Sequence, residues 1–195
     1  MLPATRLVPI LCAASGLMAQ SVGDINSLIL QASRYAAHEA AERAPHRELT
    51  LYRVIGTSGG EDALMHAGVD VQQWRLVYQI ESPAAPPPAL AGEIAQSLTV
   101  PCTRGMFGDL LWSPLPVFDA KSLQWIWIAI GLDQAIARLN QEGYTRGFCN
   151  LTIFRPLHPR YPDECTFVFK CPLDGAFVGI SGQTGKKLWT EPFPC

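Results

Sequence analysis

The chain has 195 residues, with 15 Lys and Arg against 17 Asp and Glu, so its formal net charge is −2. Such a chain has no basic surplus with which to neutralise phosphates, which argues against nucleic acid and anionic membrane surfaces as partners. A chain of this length can bury one substantial hydrophobic core, so a single domain is expected.

Residues 1–19 are predicted to be a secretory signal peptide. Arg6 is the only charged residue of this segment, and it precedes an uncharged, largely apolar run over residues 7–18. The run is shorter than the roughly 18 apolar residues that a bilayer span needs. Cleavage before Gln20, or the competing cut after Gly16, predicts a secreted or periplasmic protein without a stable membrane insertion.

The first part of the mature chain, about residues 24–81, predicts one helix and two strands. Asp24 is a good N-cap, and apolar residues recur at three- and four-residue steps over 24–43. Alternating strand formers follow at 49–55 and 73–80. Residues 82–92, which include three successive prolines, predict a long loop that leads to a strand near 96–101.

The second part, about residues 93–195, repeats this order of helix and strands. Alternation over 123–130 is typical of a strand, and residues 132–142 have an apolar helix face. Further strands are predicted at 148–155, 165–171, 176–180 and 186–189. The prediction is therefore an α+β domain, residues 20–195, in which helices pack on a twisted antiparallel sheet in two related halves.

The cysteines are interpreted as disulfide partners because the compartment is oxidising. Acylation of Cys12 in a lipoprotein is disfavoured, since the small residue normally needed before such a cysteine is missing. If Arg155 opposes Cys165 in an antiparallel pair, Cys149 lies opposite Cys171 and the two can form a bridge. The weaker second pair is Cys165 with Cys195, and the odd thiol is Cys102.

The closing segment 176–189 resembles the end of PepSY and PepSY-like domains of exported bacterial proteins. An apolar strand precedes the turn Gln183-Thr184-Gly185-Lys186, and Leu188-Trp189 occupies the last strand. The resemblance implies a cystatin-like scaffold and an exported binding or inhibitor-like module without chemistry of its own. The cysteines and proline-rich loops depart from the family pattern, and the protease-binding motif of cystatins is missing.

One motif is typical of an enzyme. Residues 56–60 read Gly-Thr-Ser-Gly-Gly and match the nucleophile elbow of serine hydrolases, with Ser58 as nucleophile. His158 lies downstream as a base, and Asp119 or Asp133 lies between them in the order such enzymes use. The elbow normally follows several parallel strands, whereas one strand precedes Ser58, so a flexible loop is the preferred interpretation.

Aromatic residues supply the remaining candidate site. Trp112, Trp125 and Trp127 could line a binding surface, although alternating aromatics are equally typical of a strand face in the core. No Cys-x-x-Cys or His spacing indicates a metal, no cofactor is expected, and the sequon at Asn150 matters only in a eukaryotic secretory route. The sequence thus favours an exported, non-catalytic module that binds a protein or peptide; the alternative is a secreted serine hydrolase that uses Ser58.

Overall fold

The computed structural model describes residues 25–43, 47–60, 63–81 and 95–193. The predicted signal peptide, the proline-rich segment and Cys195 lie outside these residues, as do residues 44–46 and 61–62.

A ten-stranded antiparallel sheet carries the fold. Its strands lie side by side in the order β10-β9-β8-β7-β1-β2-β3-β4, while β5 also pairs with β3 and β6 with β7. The strand that follows each helix, β1 or β7, lies at the centre of the sheet, where the two pair with each other. The strands are β1 (Glu48–Thr57), β2 (Gln73–Glu81), β3 (Ser97–Thr103), β4 (Met106–Phe107), β5 (Leu111–Ser113), β6 (Ala120–Lys121), β7 (Asn150–Pro156), β8 (Thr166–Cys171), β9 (Ala176–Ser181) and β10 (Lys187–Pro192).

One face of this sheet forms the core, because successive side chains of a strand point to opposite faces. Trp74, Leu76, Tyr78 and Ile80 of β2 are all buried, whereas the residues between them are exposed or half-buried. The same alternation continues on both sides, so that the cross-strand neighbours of these residues are also apolar. The second face remains open and carries half-buried side chains. The buried residues that the other strands contribute to the core face are Val54, Leu98, Val100, Leu151, Ile153, Phe167, Phe169, Val178 and Ile180.

The fold class predicted from the sequence, helices packed on a twisted antiparallel sheet, is wrong, because a ten-stranded antiparallel sheet dominates the described residues. Only two α helices occur in the described residues, α1 (Ile25–Arg43) and α2 (Leu132–Gln141). Their apolar residues, such as Ile29 of α1 and Leu139 of α2, belong to the single core that the sheet dominates. Two segments show a strong helical periodicity, whereas the short strands within the predicted loops show no pattern of their own. The sequence therefore predicts a larger contribution from helices than the structure has.

The strand predicted over residues 123–130 is also wrong. The amide of Leu123 donates to the carbonyl of Leu51, and the chain then turns through a 3-10 helix at Trp125–Trp127. The amides of Ala129 and Ile130 both donate to the carbonyl of Gly182, so the segment crosses the end of the sheet rather than extending it. Alternating apolar residues alone do not distinguish such a crossing from a strand.

The register predicted for β7 and β8 is confirmed between Asn150, which pairs with Lys170, and Phe154, which pairs with Thr166. The structure contains no disulfide among the cysteines it describes, so the predicted Cys149–Cys171 bond is not formed. The reason lies one residue before β7. The amide of Cys149 donates to the carbonyl of Lys170, so two residues of one strand face one residue of the other, as in a β-bulge.

The bulge changes which face the preceding side chains occupy. Regular alternation back from Leu151 would place Phe148 on the open face, yet Phe148 is buried in the core and packs edge-on against Phe169. Cys149 is buried but stays outside the core cluster that holds Cys171. The second predicted bond, from Cys165 to Cys195, lies partly outside the described residues.

Candidate functional site

A polar pocket opens where β1 ends, β2 begins and β7 meets β8. Its volume is about 310 Å³, which is at the small end of the range found for ligand pockets. We call it the donor pocket, for reasons given below. It is lined by Thr57, Gly59, Gly60, Gln73, Cys149, Asn150 and Lys170.

The loop that carries Ser58 forms one wall of the donor pocket. The Ser58 hydroxyl donates to the carbonyl of Gly60 and accepts from its amide, at 3.2 and 3.3 Å, so both of these bonds stay within the loop. Gly59 has a φ of 88°, in the left-handed region that glycine adopts without strain. A Cβ at Gly59 would lie 3.2 Å from Nε2 of Gln73, so glycine also lets that side chain approach the loop closely.

Two side chains on paired strands form the opposite wall. Lys170 of β8 and Asn150 of β7 are direct partners in the ladder and share the open face. Oδ1 of Asn150 accepts a hydrogen bond of 3.2 Å from the Thr152 hydroxyl. That bond assigns Oδ1 to the side of Thr152, and the NH₂ group of the carboxamide remains as a donor in the lining of the pocket.

Among the described residues that line the pocket, the charged side chain is that of Lys170. Lys170 forms no ion pair with any described residue, and its ammonium lies 5.9 Å from the ring centroid of Phe193. None of the described residues that line the pocket is acidic. The lining therefore offers an ammonium, two carboxamides and a hydroxyl, and this surplus of hydrogen-bond donors gives the pocket its name.

The opposite end of β7 and β8 has the reverse character. The guanidinium of Arg155 donates two bonds to Asp163, at 2.6 and 2.8 Å, and the ammonium of Lys121 lies 2.8 Å from the same carboxylate. These hydrogen bonds lower the pKa of Asp163 to about 2, because they stabilise the ionised form. Arg53 pairs with Asp119 nearby. We call these five residues the charge-paired end.

The residues of the proposed catalytic triad are not brought together. Gly56 pairs with Leu151, and His158 lies seven residues beyond Leu151, which at about 3.3 Å per strand residue places it roughly 20 Å or more from Ser58. His158 packs instead on Tyr161, with ring centroids 5.7 Å apart. Asp133 is exposed at the start of α2, beside Gly68. Asp119, the other candidate acid, belongs to the charge-paired end.

The tryptophans do not form one described surface. Trp112 of β5 lies opposite Leu98 and is half-buried against the core. Trp127 is separated from Trp112 by β1 and β2, and the Arg155 guanidinium lies 4.9 Å from the ring centroid of Trp127. The Trp125 side chain lies outside the described part of the structure. Across the described ranges, no three His, Cys, Asp or Glu side chains gather in a way that could hold a metal ion.

Apart from the Gly-Thr-Ser-Gly-Gly loop, the residues that line the donor pocket were not predicted as site residues from the sequence. A usable signal was present, because the predicted register already placed Asn150 opposite Lys170. An amide and an unpaired lysine on adjacent outward positions, next to a glycine-rich turn, indicate a polar recess at a sheet end.

Comparison with known proteins identifies the fold alone. No family model matches the chain, so the PepSY resemblance has no support from that comparison. No curated protein matches it either. Among solved structures, a protein from Clostridium difficile 630 named as a putative lipoprotein has the same fold, with a TM-score of 0.53 and 8% identity over 90% of this chain and 97% of that one.

Neither helix in the described ranges combines the length and the apolar character that crossing a bilayer would require.

Proposed function

We propose that the protein is an exported, non-catalytic binding module that holds part of a protein or peptide partner in the donor pocket. The observation that carries this proposal is the pocket itself, where an ammonium without an ion pair and two carboxamides face a recess that no acidic described residue enters. Binding needs such a set of oriented donors, whereas hydrolysis by Ser58 needs a base within hydrogen-bond reach.

Export is supported by the charge and hydropathy pattern of residues 1–19 and by the name of the solved protein with this fold. The direct test is the mass of the chain recovered from the medium or periplasm of an expressing cell. Removal of the signal peptide predicts a new N-terminus at Gln20. Recovery of the chain only in the cytoplasm, with Met1 retained, would contradict export.

Inhibitor-like action is the narrower form of the proposal. It follows from the resemblance of residues 176–189 to PepSY domains, some of which are thought to restrain peptidases. An exported peptidase would accordingly be one class of partner, and its rate of peptide hydrolysis with and without the purified protein would test that form.

A pocket-filling substitution tests the binding function. Thr57 lines the donor pocket, so an indole in the substitution Thr57→Trp would occupy the recess. The matched control is Thr184→Trp, since Thr184 is exposed in the turn between β9 and β10. Each protein is applied to an immobilised library of short peptides, and bound protein is measured by fluorescence.

The proposal predicts that the wild-type protein and Thr184→Trp bind the same peptides and that Thr57→Trp loses them. Circular dichroism would verify that both variants are folded. If Thr57→Trp bound the same peptides as the wild-type protein, the donor pocket would not be the binding site.

A further inference from the structure

We infer that the donor pocket is a carboxylate site, whose natural occupant is the C-terminal carboxylate of a peptide chain. The inference rests on the proposed binding function and adds the chemistry of the group that is bound. It depends on three features of the pocket: the ammonium of Lys170, the NH₂ group of Asn150 and the volume of the recess.

The charge of the pocket favours a single negative group. Lys170 brings one cation, and ion pairing with a described carboxylate does not neutralise it. The ring centroid of Phe193 lies 5.9 Å from the ammonium, and the ring attracts the cation without accepting a proton from it. One ammonium balances one carboxylate, whereas phosphate groups carry more charge and are typically bound by several arginines.

The orientation of Asn150 adds a neutral donor to this charge. Its Oδ1 accepts a hydrogen bond from the Thr152 hydroxyl at 3.2 Å, and the NH₂ group supplies the donors for a ligand. Because Asn150 and Lys170 are direct ladder partners on one face, their donors can reach the two oxygens of the same carboxylate. A cationic group would instead meet the ammonium and the NH₂, both of which repel it.

The size of the recess favours the end of a chain over its middle. A volume of about 310 Å³ accommodates a terminal residue. Capture of a C-terminal carboxylate by backbone groups is an established mode of peptide recognition.

The test measures binding of one probe in two forms by isothermal titration calorimetry. N-acetyl-tetra-alanine is used with a free C-terminal carboxylate and with a C-terminal amide, and sodium acetate is added as a competitor. Lys170→Met removes the ammonium and keeps the length of the side chain. Lys186→Met is the matched control, because Lys186 is exposed in the turn at the other end of β9.

A carboxylate site predicts that the amide binds about tenfold or more weakly than the free acid, since a hydrogen bond to a charged group is lost. Lys170→Met should reduce the affinity for the free acid by a similar factor, and Lys186→Met should leave it unchanged. Asn150→Asp, which replaces the NH₂ by a second negative group, should also weaken the free acid. Acetate competing as well as the peptide would support the carboxylate chemistry and identify a small free acid as its source.

Two results would overturn the inference. Equal binding of acid and amide, unaffected by Lys170→Met, would exclude a carboxylate site but leave a binding function for the pocket. Failure of all the probes to bind at millimolar concentration, while the peptide library identifies ligands that Thr57→Trp abolishes, would show that the pocket binds a different chemical group.

Discussion

The two ends of the β7–β8 pair differ in how their charged side chains are satisfied. At the charge-paired end, the Asp163 carboxylate is shared between Arg155 and Lys121 within the protein. At the donor pocket, Lys170 and the NH₂ group of Asn150 face a recess of about 310 Å³. The same two strands therefore supply an internally neutralised end and an end whose donors are left for a ligand.

The backbone differs in the same way. The ladder is regular from Asn150 to Phe154, towards the charge-paired end. Immediately before Asn150, the bulge at Cys149 ends the regular pairing and turns that residue into the pocket wall. Bulges are common beside functional sites because they redirect a side chain without breaking the sheet. The irregular end is thus where a binding role is expected.

The largest effect should follow from one methyl group between the two ends. In the middle of β9, level with Thr152 of β7, Trp189 covers Gly179 and packs on Tyr161, with ring centroids 4.8 Å apart. A Cβ at Gly179 would overlap Cε2 of Trp189, so Gly179→Ala should displace the indole and lower the free energy of unfolding by about 1–3 kcal/mol. Urea unfolding followed by circular dichroism measures the change.

The matched control for that substitution is Gly60→Ala in the wall of the donor pocket. Among the described residues, a Cβ there would meet only the Cβ of Ala63, at 3.4 Å, which is an ordinary contact. Its unfolding free energy should remain within about 0.5 kcal/mol of the wild-type value. Equal destabilisation by both substitutions would contradict the difference in packing between Gly179 and the wall of the donor pocket.

A smaller effect is expected from Asp163→Asn, and it should depend on pH. The pKa of Asp163 is lowered to about 2 in the folded protein, from an ordinary value of 3.8. A lowered pKa stabilises the fold above the ordinary value, and the contribution is lost as the pH falls from about 4 to about 2. The variant should therefore unfold at lower urea than the wild-type protein at pH 6, and the two midpoints should converge near pH 2.

Salt provides the control for this pair, because the carboxylate is half-exposed and its ion pairs are screened. The difference between the midpoints at pH 6 should decrease in 1 M NaCl. A difference that is constant across the pH range would assign the effect to packing rather than to charge.

The smallest effect concerns the cysteines, where the structure predicts that no bond links Cys149 to Cys171. Burial raises the pKa of both Cys165 and Cys171 to about 12, with smaller contributions from neighbouring acidic groups. In the native protein these two thiols should therefore resist iodoacetamide at pH 8. After unfolding without a reductant, mass spectrometry should find Cys149 and Cys171 alkylated separately. A peptide pair joined through these residues would contradict the structure.

Much of the sheet could be predicted because its strands alternate clearly. The bounds of β2 and β9 were predicted to within a residue, and the apolar helix face predicted within residues 132–142 is the buried face of α2. The register of β7 with β8 was also correct, because the turn residues between them limit the possible pairings.

Other features depend on contacts between distant segments and could not be derived from local patterns. The two- and three-residue strands β4, β5 and β6 are too short to show alternation. They form because β3 has an unpaired edge and because β7 continues beyond its pairing with β1. The bulge at Cys149 requires Phe148 to pack on Phe169 while its backbone bonds to Met65. The donor pocket combines ends of four strands, and only its Gly-Thr-Ser-Gly-Gly loop is contiguous.

The difference between the two ends can be measured most directly by titrating ¹⁵N-labelled protein with N-acetyl-tetra-alanine and recording ¹H–¹⁵N correlation spectra. A carboxylate-binding donor pocket predicts the largest shift changes at the amides of Gly59, Gly60, Asn150 and Lys170, with no change at Arg155 and Asp163. Shift changes centred on Arg155 and Asp163, or no changes at millimolar peptide, would contradict the assignment of binding to the donor pocket.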